Sequence, residues 1–99
     1  MRSPTTFTGP GDFVFAGSNT VIVKKTVPAP TTVFMIANPI KDCEYVIVDG
    51  KGDAATNPIT IDGNGKLING AATRTISVNR GAVTLFYDGA EFFVLGETP

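Results

Sequence analysis

The sequence predicts an all-β domain, on three observations. Eleven Gly and seven Pro among 99 residues recur too often to leave room for a three-turn helix. The runs between them are short and rich in Val, Ile, Phe and Thr, residues that fit a pleated, half-buried surface. The joints hold Asp49-Gly50, Asp62-Gly63, Asn64-Gly65, Asn69-Gly70 and Asp88-Gly89, pairs that tolerate the positive φ of tight turns.

Nine strands are expected in order. Asp12 to Ala16 sets Phe13, Val14 and Phe15 between glycines, and Thr20 to Lys25 is a Val-Ile-Val run closed by two lysines. Pro28-Ala29-Pro30 then changes the chain direction, and Thr32 to Ile36 resumes the apolar pattern. Glu44 to Asp49 and Pro58 to Asp62 follow Asn38-Pro39 and Asn57-Pro58. Proline extends the residue before it, and the first residue of a strand needs no amide donor. Lys66 to Asn69 lies between two Asn-Gly turns, and Arg74 to Asn79 alternates, with Ile76 and Val78 opposite Thr75, Ser77 and Asn79. Ala82 to Tyr87 and Glu91 to Leu95 flank Asp88-Gly89, the strongest hairpin signal in the chain.

Only Arg74 to Asn79 alternates cleanly. Elsewhere consecutive positions are apolar, so both faces of those strands call for cover. A chain of 99 residues has little mass to supply it. The expectation is therefore one β domain over residues 1–99, of short antiparallel strands in a β-sandwich or barrel-like arrangement completed by homotrimerisation. The competing reading is an isolated sandwich whose loops fold over the outer faces.

Composition narrows function. Eight Lys+Arg against nine Asp+Glu give a net charge of -1 and a pI near 5.1. The basic residues are scattered apart from Lys24-Lys25, so no nucleic-acid partner is expected. Charged residues make up 17%, under the quarter typical of soluble domains. Cys43 is the only cysteine, which rules out an intrachain disulfide. Its neighbours Asp42 and Glu44 disfavour a thiolate. Met1 to Pro4 leads into polar residues and no run approaches the length of a membrane span, so neither an export signal nor a membrane partner is expected.

Chemistry is scarce. With no histidine, the commonest general base and metal ligand are missing, and so are Ser-His and Cys-His nucleophiles. A glycosidase needs facing carboxyls and usually aromatic platforms, but the chain has no Trp and only Tyr45 and Tyr87. Most of its acids stand beside Gly in turns, where they hydrogen-bond the turn backbone. "DGNGKLINGAAT", from Asp62, begins like a calcium loop but places Lys66, Leu67 and Thr73 at its fifth, sixth and twelfth positions, where a ligand, a Gly and a Glu belong. In "DGKGD", Lys51 opposes a cation held between Asp49 and Asp53. "GPGDFVFAG" lacks the following helix and Lys-Ser/Thr of a phosphate loop. No catalytic, cofactor-binding or metal-ligating residue is expected, and no enzyme activity.

From Tyr45 to Leu95 the chain carries "YVIVDGKGDAATNPITID", "GKLINGAATRTISVN" and "GAVTLFYDGAEFFVL". This succession resembles a module of tailed-bacteriophage virion proteins found in fibres, spikes and small head-decoration proteins. In the module a strand ending in Asp leads through a small-residue loop to an "NPITI" strand, then a "G-x-V-T-L" strand and a final "DG" hairpin. The sequence departs from it at Phe92-Phe93, where Trp is frequent, and at Ala82, where Ser is common. Residues 1–44 are not placed by the likeness. The resemblance implies a symmetric, usually trimeric, structural or adhesive block, with Pro58, Ile59, Ile61, Phe86 and Phe93 as its expected subunit interface. Because the chain starts at Met and stops soon after its last strand, a complete small subunit is expected. Its setting would be the virion exterior, after synthesis in the bacterial cytoplasm, as a capsid-decoration or head-fibre protein whose partners are itself and major capsid or tail proteins. A tail-fibre, tail-spike or baseplate module is the alternative within that class. A carbohydrate-binding module using Tyr45, Tyr87 and the turn carboxylates is the alternative outside it.

Overall fold

The computed structural model describes residues 5–9, 11–15 and 19–97. Met1 to Pro4 and Ala16, the expected end of the first strand, lie outside the described residues. The described residues form nine strands and no helix. They are β1 (Thr5–Phe7), β2 (Phe13–Val14), β3 (Thr20–Val23), β4 (Thr31–Phe34), β5 (Cys43–Asp49), β6 (Ile59–Asp62), β7 (Thr73–Ile76), β8 (Ala82–Tyr87) and β9 (Phe92–Glu97). Two sheets result: a five-stranded one in the order β1-β3-β5-β8-β9, and a four-stranded one in the order β2-β4-β6-β7.

The expected antiparallel architecture is corrected, since both sheets are mixed. From β1 to β6 the chain alternates between sheets at every strand, so β1, β3 and β5 run parallel, as do β2, β4 and β6. Parallel neighbours need a crossover long enough to return the chain to its starting end, a task usually given to a helix. Here the crossover is a strand of the opposite sheet. After β6 the direction reverses, and β6-β7, β5-β8 and β8-β9 are antiparallel.

Strand by strand, the remaining expectations fare differently. Ala82 to Tyr87 is β8 residue for residue, and β5 and β6 differ from expectation by one residue at their starts. Lys66 to Asn69 reduces to single bridges at Ile68. There Ile68 and Ala71 exchange backbone hydrogen bonds of 2.6 and 3.0 Å around Asn69 (φ 51°) and Gly70 (φ 82°), the two-residue turn that Asn-Gly favours. Asp62-Gly63 is different, because Gly63 is needed for space: a Cβ there would stand 1.8 Å from the Lys66 carbonyl oxygen. The first "NPI" opens no strand, and Ile40 is exposed. β1 was not expected from the sequence.

Along β3, β4, β5, β6 and β8 burial alternates residue by residue. The inward set from both sheets forms one cluster, including Val21, Val23, Tyr45, Ile47, Val83 and Leu85 from the first sheet and Val33, Ile59, Ile61 and Ile76 from the second. A line of ring contacts, Phe7-Phe13-Phe15-Tyr45-Phe92-Tyr87, crosses it with centroids 5.1 to 6.3 Å apart. The radius of gyration is 12.2 Å, about what a compact chain of this length has. One chain therefore encloses its own core, and a partner subunit would cover an outer face instead of completing the interior.

One side of the two-sheet assembly is latched. The Phe92 amide donates to the Leu67 carbonyl, and the Asn69 amide to the Phe92 carbonyl, so the β6-β7 connection pairs with the outer edge of β9. The Val94 amide donates to Asn69 Oδ1 at 3.1 Å. Beside it, Arg74 on β7 holds Glu97 on β9 through Nε and Nη2.

Candidate functional site

Five outward-facing apolar residues share one surface. Strand register fixes it: Ile22 of β3 faces Val48 of β5, Val46 faces Thr84 of β8, and Phe86 of β8 faces Phe93 of β9. Ile22, Val46, Val48 and Phe86 are half-buried, and Phe93 is 38% exposed. On the outer face of the five-stranded sheet they form two apolar groups, Ile22-Val46-Val48 and Phe86-Phe93, with Thr84 and Glu44 between them and Thr6 and Thr20 at the β1-β3 side. The register shift between Thr84 and Leu85 leaves Leu95 58% exposed beside it. An exposed apolar patch rimmed by polar residues is the usual mark of a contact surface.

The five residues expected at an interface separate into two groups. Phe86 and Phe93 are cross-strand neighbours on this outer face. Ile59 and Ile61 are fully buried between the sheets, so their assignment to an interface is corrected: the inward parity of β6 commits them to the chain's own core. Pro58 is half-buried at the start of β6, and its carbonyl accepts from the Thr31 amide at 3.2 Å. Gly52 to Thr56, expected as a linker, does join the two sheets through the turn between β5 and β6.

The carboxylates serve turns. Asp88 Oδ1 accepts from the Ala90 and Glu91 amides at 2.8 and 2.9 Å, and those amides, Glu91 first, hold its carboxyl below the ordinary value. Asp62 Oδ1 accepts from the Asn64 backbone amide at 2.8 Å, while the Asn64 side-chain amide donates to the Met35 carbonyl at 3.0 Å, so both side chains of the calcium-like start serve the turn. Asp49 shares the inward parity of Tyr45 and Ile47 and is fully buried. Its Oδ1 accepts from the Gly52 amide, and its Oδ2 from the Ala54 and Arg80 amides, each at 3.0 Å. Burial alone would raise this carboxyl. The Gly52, Ala54 and Arg80 amides, with Lys51, outweigh burial and hold it below the usual carboxylate range.

Tyr45 and Tyr87 are buried to 3% and 6% exposure, and the Tyr45 hydroxyl accepts from the Ile40 amide at 3.0 Å. Their proposed use as sugar platforms is corrected by that burial. Cys43 is half-buried and unpaired by disulfide. Sequence reasoning missed two buried charged residues, Lys25 and Asp49. Parity was the available signal, since Val21-Val23-Lys25 and Tyr45-Ile47-Asp49 each step along one face of a strand. No protein-family model matches the chain, and no curated protein matches it.

Proposed function

We propose that this chain is a non-enzymatic structural subunit of a bacteriophage virion. In this reading each copy is a β-sandwich, and three copies assemble through the outer face of the five-stranded sheet. The observation that carries the reading is the apolar surface of Ile22, Val46, Val48, Phe86 and Phe93. Burying it stabilises an assembly at roughly 25 cal/mol per Å² of apolar area removed from water. Of the four sheet edges, β1 and β2 are short and the outer edge of β9 is paired in part by the β6-β7 connection, which limits open-ended strand pairing and favours a closed, face-to-face assembly. The likeness of residues 45–95 to virion modules supplies the setting, a capsid-decoration or head-fibre subunit on the particle exterior.

The test is binding to undecorated capsids, read by co-sedimentation. Saturable binding in multiples of three copies per site is the expected result. Binding to tails but not capsids moves the protein to a fibre, spike or baseplate, and binding to neither removes the virion reading.

A further inference from the structure

Besides Asp49, the other buried charged residue among the described residues is Lys25. Lys25 follows β3 and is 4% exposed, an unusual place for a lysine, whose charge resists burial. Its Nζ donates to the Asn57 backbone carbonyl oxygen at 2.9 Å and lies 3.7 Å from Asp53 Oδ1. Asp53 and Asn57 are themselves locked together. The Asn57 amide donates to the Asp53 carbonyl at 2.8 Å, and Asn57 Nδ2 donates to Asp53 Oδ2 at 2.9 Å. Asp53 Oδ1 is buried, and no hydrogen bond among the described residues reaches it. An unsatisfied buried carboxylate oxygen is costly and calls for a reason.

We propose that Lys25 and Asn57 form an intramolecular isopeptide bond, with Asp53 as the proton carrier. The amine is anchored on the backbone carbonyl of Asn57, the residue whose side-chain amide carbon it would attack, so the reaction is intramolecular and needs only a short swing of the amine from that carbonyl to Cγ. One carboxylate oxygen of Asp53 faces the amine and the other already touches the nitrogen that leaves. Lys25 Nζ attacks Asn57 Cγ, the Nζ–Cγ bond forms and the Cγ–Nδ2 bond breaks. Two protons leave the Lys25 ammonium and two arrive on Nδ2 by way of Asp53, so the nitrogen departs as ammonium and Asp53 ends as the carboxylate it began. No oxidant or further reactant is needed.

The link suits this chain. Lys25 leaves the five-stranded sheet and Asn57 enters the four-stranded one, 32 residues later, so the bond would tie the two sheets together on the side remote in sequence from the β9 latch. A single cysteine cannot do this, and small domains gain from a covalent staple. The inference is independent of the virion assignment.

Intact mass spectrometry of the purified, folded, full-length protein tests it. The expected mass is that of the sequence less one ammonia, with a branched tryptic species joining the Lys25 and Asn57 peptides. Lys25→Arg and Asn57→Ala should each return to their own full sequence mass, as should Asp53→Ala. Lys25→Arg, which keeps the ion pair, should also lower the melting temperature by on the order of 10 °C through loss of the closed loop. A wild-type protein at full sequence mass, without the branched species, overturns the proposal, and this needs no variant to fold. An ammonia loss confined to a linear peptide at Asn64-Gly65 or Asn69-Gly70 is a succinimide and overturns it equally.

Discussion

The outer faces of the two sheets are built from the same kind of strand yet present opposite chemistry. On the four-stranded sheet the outward register runs Thr32-Thr60-Thr75, with Phe34, Asp62 and Thr73 in the next row. On the five-stranded sheet the equivalent positions are Ile22, Val46, Val48, Phe86 and Phe93. Threonine keeps the β-branched shape that strands favour while offering water a hydroxyl, so the first face is stable in solvent. The second offers water hydroxyls only at Thr6, Thr20 and Thr84, among larger aliphatic and aromatic side chains. Val14, 56% exposed, and Phe34 add one apolar row at the β2-β4 edge of the first face, and the larger group of outward aliphatic and aromatic side chains lies on the five-stranded sheet, where a partner can reach it.

The largest effect separates the core from either face. Ile61→Asp buries an unpaired charge between the sheets and should unfold the protein, at a cost of several kcal/mol. Thr60→Asp, one residue away on the solvated face, should stay within about 0.5 kcal/mol of the parent, both read by chemical denaturation. The next contrast is between the faces themselves. Phe86→Asp should dissociate the assembly while the monomer stays folded, as seen by sedimentation with circular dichroism, whereas Thr60→Asp should leave the assembled mass unchanged. A Phe86→Asp protein of unchanged mass would place the interface elsewhere.

Smaller effects test the turns that hold the faces in place. Asp49→Ala leaves three amides without their acceptor and should cost about 1 to 3 kcal/mol or more. Because the folded-state carboxyl lies below its ordinary value, its contribution is fully present above the unfolded value near 3.8. That contribution is lost as pH falls through the folded value. Parent and Asp49→Ala stabilities should therefore converge on acidification below pH 3.8, and a constant gap would contradict the assignment. The least effect is expected at the exposed Arg74-Glu97 pair, where Arg74→Ala should cost under about 1 kcal/mol.

Much of this was legible in the sequence, unevenly. β5, β8 and β9 carry dense apolar runs with an Asp-Gly hairpin between the last two, so their existence could be read locally. The parallel winding could not, because pairing Thr5 with Val21 or Thr31 with Ile59 is a long-range choice that no local pattern encodes. β1 was missed because Thr5-Thr6-Phe7 is short and mostly polar. Ile59 and Ile61 read as interface residues because apolar composition alone does not distinguish an inner from an outer face, and strand register does. Lys25 and Asp49 were hidden by residue type: a lysine in "VKKT" and an aspartate before Gly read as solvated, although parity set both on the inward face.

In the proposed assembly, identical copies cover the apolar outer face of the five-stranded sheet. Native mass spectrometry of the purified chain at micromolar concentration tests it most directly. A trimer that persists on dilution is the predicted result, and a folded monomer at that concentration would contradict it.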